Sequence, residues 1–288
     1  MINTRIEHDY AADASELSLF YFDTGELSFS GEDVLFPGGY DQIINNLAKG
    51  LDIRLGERVK TVEYNNEGVN ITTSHGIFKA KYVVCTISLG VLKKGDVKFS
   101  PPLPDRKVKA IQNLKMGVLN RVYLLFPEVF WDKDKELIGY IANQKGHWAE
   151  FYNMYYYTGE PILLAFNAGK YGREIENLSD KEIIASEMDV LKKIYGDKIP
   201  PPKDFIITRW GSYEFTGGSY SYTPVGATND DYDALAEPVM NKVFFAREAT
   251  NKEYHSTVHG AYLSGIREAG KIDELAHKRI NTPMIMAK

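Results

Sequence analysis

The chain has 288 residues, 44% hydrophobic and 25% charged, an ordinary globular composition large enough for one large domain or two smaller ones. Its 34 basic and 39 acidic side chains leave a net charge of −5, which gives no general pull toward nucleic acid or anionic lipid and removes both as expected partners. The lone cysteine, Cys85, excludes a disulfide framework within the chain; no apolar run nears the ~18 residues of a spanning helix, and the first residues lack a signal core, so a cytoplasmic location is expected.

Turn signals stand at Asp23-Thr24-Gly25 and Ser30-Gly31, followed by Phe36-Pro37-Gly38-Gly39-Tyr40. Ile43, Ile44 and Leu47 have helical spacing, and Gly50 ends that stretch. The period then becomes two. Leu51 to Leu55, Val59 to Tyr64, Val69 to Thr72 and Ile77 to Ala80 read as short strands of an antiparallel meander. Tyr82 to Ile87 is nearly all apolar, as expected of a strand buried on both faces, with Cys85 a small hydrophobe inside it. Pro101-Pro102-Leu103-Pro104 is a rigid break, after which Val108, Ile111 and Leu114 mark a short helix. Strand-like runs follow at Asn120 to Phe126, Glu136 to Ala142, Phe151 to Tyr157 and Pro161 to Asn167. Ser179 and Glu182 form a capping-box pattern for a helix that runs to Tyr195 and stops at Gly196. Phe205 to Thr208 and Val243 to Ala246 are further strands, and a helix starting near Thr257 closes the chain.

Two stretches carry chemistry. In the first, a buried strand runs into Glu248, and after a loop comes a helix whose early residues, Gly260, Ala261, Ser264 and Gly265, are small. Small residues let a helix N-terminus approach something flat, and the free N–H groups at Thr257 and Val258 suit an anionic oxygen or a ring that becomes negative on reduction. On physics alone the pattern better fits a helix packed tightly on a sheet with Thr257 as N-cap. In the second, Thr208 to Tyr222 is dense in aromatics and holds the pair Gly217-Gly218. Its rings could wall an amine and attract its cationic form, or pack on one another around a glycine bend. His255 and His259 are four apart, but His255 precedes the helix and no third ligand lies near, so no metal is expected.

Together these residues, in this order, resemble the flavin-dependent amine oxidases, the family of polyamine oxidases, monoamine oxidases and flavin-dependent histone lysine demethylases. The likeness runs through Pro37 to Tyr40, Glu57-Arg58-Val59, Cys85 to Lys93, Pro101 to Pro104, Asn120-Arg121-Val122 and Phe130-Trp131-Asp132. It implies a mixed α/β fold, in which a partial FAD-binding Rossmann-like domain is interleaved with a mixed-sheet substrate domain. The implied segments are 1–50 (helical start of the substrate domain), 51–105 (remaining FAD-domain segment with the meander), 106–209 (substrate domain) and 210–288 (C-terminal FAD-binding segment and closing helix). It also implies non-covalent FAD, because Ser219 stands where monoamine oxidases carry the linking cysteine. Val59 and the Thr86-to-Leu89 turn would lie along the adenosine half. Glu248 would bond the ribityl or ribose hydroxyls, Thr257 and Val258 would face the pyrimidine edge, and Trp210 would pack beside the ring. Tyr220 and Phe215, with Thr257, would border the amine. Arg121, Trp210 and Tyr220 would be the catalytic positions. The implied reaction takes a small amine or polyamine and molecular oxygen to an imine and hydrogen peroxide, with no acid–base dyad.

The departures are specific. The family begins with a strand, a Gly-x-Gly-x-x-Gly turn and a helix. No Gly-x-Gly pair occurs among the 24 glycines here, and Met1 corresponds to a point about a third of the way into the family pattern. Arg121 replaces a lysine, and the two are not interchangeable. Arg247 replaces a glycine that lies against the cofactor, and Ser88 replaces a proline. A non-catalytic binding module that cannot hold FAD alone is the alternative reading.

Overall fold

The computed structural model describes residues 2–23, 34–36 and 38–280. The turn signals at Thr24-Gly25 and Ser30-Gly31, and Pro37, lie outside the described residues. In chain order the elements begin with α1 (His8–Tyr10), α2 (Asp41–Leu47), β1 (Thr61–Tyr64), β2 (Val69–Thr72), β3 (Ile77–Ala80) and β4 (Val83–Cys85). Next come α3 (Leu89–Lys94), β5 (Lys98–Ser100), α4 (Asp105–Asn113), β6 (Lys115–Met116), β7 (Leu119–Leu125) and β8 (Leu137–Gly139). Then follow β9 (Glu150–Asn153), α5 (Met154–Thr158), β10 (Ile162–Ala168), α6 (Gly169–Ile175), α7 (Asp180–Tyr195) and β11 (Asp204–Ile207). The last are β12 (Ser221–Tyr222), α8 (Asn229–Ala236), β13 (Val243–Phe245) and α9 (Val258–Ile280). Helices and sheets are thus mixed, as expected. Among the described residues no helix is long and apolar enough to cross a membrane.

The chain divides into two units, with junctions at Leu55/Gly56, Met116/Gly117 and Ser219/Tyr220; the junctions expected from sequence were 50/51, 105/106 and 209/210. Unit one comprises Met1–Glu16, Ser28–Leu55 and Gly117–Ser219. Its antiparallel sheet has the order β11-β7-β10-β9-β8. Alternation on β7 sends Asn120, Val122 and Leu124 to the buried face and Arg121 and Tyr123 to the other. On the buried face Val122, Leu124, Phe151, Leu163 and Ala165 pack against Ile183, Val190 and Leu191 of α7. Ser179 caps α7 as the sequence predicts: its Oγ accepts from Glu182 N at 3.3 Å, and Glu182 Oε2 accepts from Ser179 N at 2.8 Å.

Two expected strands in this unit fail. Phe151 to Tyr157 is strand only as far as Asn153, because β10 offers partners only from Leu163, opposite Asn153. Beyond that point the aromatic run Tyr155-Tyr156-Tyr157 coils into α5. Leu51 to Leu55 forms no strand, since among the described residues no strand pairs with it, and its apolar side chains are exposed. Helix α2 forms as predicted but none of its residues is buried.

Unit two comprises Leu17–Leu27, Gly56–Met116 and Tyr220–Lys288. The expected meander is present as β3-β2-β1, and β5 adds to it parallel to β1. Strand β13 is fully buried and pairs in parallel with β4. Strand β4 was expected to be buried on both faces; instead Val83 and Val84 are only half-buried, since among the described residues β13 is its one strand neighbour. Cys85 is buried as predicted, and burial pushes its thiol up to about 11, which keeps it a neutral hydrophobe. Ser88 turns out to be the N-cap of α3, its Oγ accepting from Val91 N at 3.1 Å.

Candidate functional site

Four of the five predicted site residues of unit two, all but Val59, gather around a clamp on β12. Buried Glu248 follows β13, and its Oε1 accepts from Ser221 N at 3.0 Å. Its Oε2 accepts from Ala249 N. On the other side, Ser256 Oγ donates to the Ser221 carbonyl. Ser221 is therefore gripped from both ends of the loop that joins β13 to α9. The clamp brings Tyr220, Glu248, Thr257 and Val258 together. Burial raises the Glu248 carboxyl above its ordinary value, while Arg247 and the two amides oppose that rise.

Thr257 is the N-cap that the sequence suggested. Its Oγ1 accepts from Gly260 N at 3.0 Å and donates to the Tyr254 carbonyl at 2.7 Å. Val258 and His259 are the first helical residues, so their N–H groups have no intrahelical carbonyl to meet. Val258 is half exposed, and a Cβ built on Gly265 would meet nothing within 4 Å. Gly265 thus leaves an open spot two turns from the helix's positive end, while Ser264 beside it is fully buried. Gly260 has a different reason for being small: a Cβ there would lie 1.8 Å from Tyr254 O, so it accommodates the chain's own loop.

Val59 sits apart from this group, packed in the cluster of Val62, Tyr64, Cys85, Val243 and Phe245. His255 stacks on Tyr232 at 4.7 Å and His259 meets the Tyr254 ring at 5.0 Å. Among the described residues no three His, Cys, Asp or Glu side chains form a metal-ligand group.

Unit one holds Arg121, Trp210 and Phe215. Arg121 lies over Phe166, its register partner on β10, with 5.4 Å from Cζ to the ring centroid. Phe166 in turn meets Tyr152 edge-on at 5.1 Å and His8 at 6.0 Å. One face of the sheet therefore carries a fixed cation among aromatic rings. Burial pulls the His8 imidazole down to about 4, so this ring is neutral near pH 7. Trp210, Tyr213 and Phe215 form a chain of edge contacts at 6.5 and 5.8 Å, and all three are more than a third exposed. The glycine bend is closed by Gly218 N donating to Trp210 O at 2.8 Å, with positive φ at Gly217 and Gly218. Trp210 to Phe215 is thus a stapled, solvent-facing surface, whereas Tyr222 at the end of the stretch is packed in the core.

Sequence reading missed the residues that hold these positions: Asn120, Glu176, Ser221 and Ser256. Asn120 lay inside a quoted motif, but nothing in its spacing marks it as buried; the others carry no pattern of their own.

Residues 7–273 match the family model described as flavin containing amine oxidoreductase. The chain is 41% identical to the lysine-specific histone demethylase 1 homolog 1 of Oryza sativa subsp. japonica, covering 95% of this chain and 33% of that protein. It is 40% identical to homolog 2 of Arabidopsis thaliana, covering 94% and 37%. It spans about a third of the length of these curated relatives. A solved putrescine oxidase double mutant superposes with a TM-score of 0.70 at 25% identity, over 82% of this chain and 53% of that one.

Proposed function

Since the chain belongs to the flavin containing amine oxidoreductase family, whose cofactor is FAD, we propose that it supplies the ring-side and amine-side residues of an oxidase of small amines or polyamines. The observation that carries this reading is the Ser221 clamp, which fixes Tyr220 and Glu248 beside the open N-terminus of α9. This donor set suits a flavin in kind. Thr257 and Val258 offer helix-terminal amides to an electron-rich edge, and Glu248 keeps lone pairs for hydroxyls beyond the two amides it already binds.

Held there by Glu248, Thr257 and Val258, FAD would supply two-electron oxidation of a neutral amine to an imine, with oxygen as the final acceptor and hydrogen peroxide as its product. The protein's part is positioning. In unit one Phe215 and Trp210 offer flat faces for an amine, and in unit two Tyr220 is the aromatic ring beside the clamp. Arg121 offers a planar guanidinium with donors and no acceptor, so its part is to orient and stabilise charge. The curated relatives are named as histone demethylases, so a methylated lysine side chain is the competing substrate class.

One observation favours the second reading, a binding module without catalysis. Arg247 turns its guanidinium toward the Thr86 carbonyl, 3.5 Å away, and toward Glu248, 3.8 Å away. It thereby lies between two positions assigned to FAD. The test is an absorption spectrum of the chain after incubation with FAD and desalting, repeated after anaerobic addition of putrescine, spermine or a dimethyl-lysine peptide. Retained flavin that bleaches with a small amine supports the oxidase; bleaching by the peptide alone moves the substrate to proteins. No retained flavin leaves the binding module.

A further inference from the structure

Asn120 is fully buried behind Arg121 on β7. Its Nδ2 donates to Gly172 O at 2.9 Å and to Glu176 Oε1 at 2.7 Å. Its Oδ1 accepts from Trp210 N at 3.0 Å and from Thr208 Oγ1 at 3.2 Å. Both donors and both lone pairs are used, so the side chain has one orientation. Thr208 Oγ1 also accepts from Arg121 N at 2.8 Å. Glu176 completes the arrangement: Oε1 accepts from Gly211 N at 2.8 Å and Oε2 from Ser212 N at 2.7 Å. A carboxylate that receives two successive loop amides and a buried side-chain amide grips the backbone immediately after Trp210.

We infer that Glu176, through Asn120, is the positioning residue that fixes Trp210 and the Arg121 backbone as one rigid wall of the amine site. The inference rests on the function proposed above for Trp210 and Arg121. A plain loop staple would need only one of these contacts. Here the backbone N–H groups of both Arg121 and Trp210, to which the resemblance assigns chemistry in this unit, are held, and the Glu176 carboxylate takes the two amides that follow Trp210. Gly211 shows how closely the grip is fitted, since a Cβ there would come within 3.0 Å of both Glu176 oxygens.

The chain's three tryptophans make the test direct. Trp131 and Trp148 are buried in the core and bonded through their ring N–H groups to Asn153 and Ser186. Trp210 is 38% exposed and reports the loop. The full chain is labelled with 5-fluorotryptophan, Trp210 is assigned by Trp210→Phe, and Glu176→Gln is compared with the parent by 19F NMR. Glutamine must point an N–H at one of the loop amides, so the Trp210 resonance is expected to shift and broaden while Trp131 and Trp148 stay in place. Gly211→Ala pushes the loop off the carboxylate without touching Glu176, and the same selective shift is expected. An unmoved Trp210 resonance in both variants overturns the inference. So does movement of all three resonances with a lowered Tm, which would make Glu176 a general support of the fold. FAD retention and amine bleaching of the unmutated chain, measured separately, decide the underlying function, so the two failures are distinct.

Discussion

Gly260 sits so close to Tyr254 that a single added carbon would overlap the Tyr254 carbonyl. The same carbon would lie 2.9 Å from Thr257 Oγ1, the atom that caps α9. Gly260→Ala must therefore displace the 254–257 loop and break the cap, a cost of about 3 kcal/mol from overpacking and cap loss together. Gly265→Ala is the control: its Cβ meets nothing, and alanine in a helix interior gains about 0.5–1 kcal/mol over glycine. Urea denaturation of both variants checks this. A Gly260→Ala protein as stable as the parent would show that the loop relaxes freely.

This glycine also shows what could be read from sequence. The small residues of α9 were visible as a pattern, but their reasons differ. Gly260 answers to its own loop, while Gly265 leaves an open face. Periodicity found the meander, α7 with its capping box, and buried β13, because each of those signals is local. It failed at Leu51–Leu55, whose alternation has no strand to pair with among the described residues, and at Tyr155–Tyr157, where the ladder partners end. The candidate site residues came from resemblance. What holds them, Asn120 to Glu176 or Ser221 to Glu248, joins positions far apart in sequence by single hydrogen bonds, which leave no periodic trace.

Lys107 should give unit two a pH signature. It is buried, its Nζ donates to Ala234 O at 3.1 Å and Leu235 O at 2.6 Å, and it lies 4.0 Å from the Phe245 ring centroid. The carbonyls and the ring favour the ammonium, but desolvation outweighs them and brings the amine down to about 7. The unfolded chain holds that proton up to about pH 10.5, so between about 7 and 10.5 the unfolded state binds more protons. The contribution from this group is full above that window and is lost as pH falls through it. Parent and Lys107→Met should therefore diverge in unfolding free energy as pH rises from 7 to 9.5. Parallel profiles would mean that Lys107 is charged throughout.

The exposed apolar stretch near the start predicts self-association. Val34, Leu35, Ile44, Leu47, Leu51, Ile53 and Leu55 are each at least half exposed, and α2 buries none of its residues. An apolar patch of this kind on a free chain recruits other copies. Light scattering should show concentration-dependent association, accompanied by binding of a hydrophobic dye. Replacing Leu51, Ile53 and Leu55 by serine should reduce both without lowering Tm, because these side chains make no core contact to lose. A parent chain that stays monomeric at high concentration would contradict the prediction.

Arg247→Gly separates the two functional readings. The Arg247 guanidinium occupies the ground between Thr86 and Glu248, and its backbone is extended, a conformation open to any residue. Removing the side chain deletes a 3.8 Å ion pair with a buried carboxylate, so Glu248 loses the neighbour that most opposes its raised pKa. Stability should fall by about 1 kcal/mol, from added chain entropy and the lost charge partner. FAD retention should rise, since the strip between Thr86 and Glu248 is then free for a ribose or phosphate. Equilibrium dialysis of FAD against parent and variant measures this. If retention falls instead, Arg247 is itself a ligand of the cofactor, its cation reaching a phosphate, and the glycine-to-arginine change is an adaptation for binding.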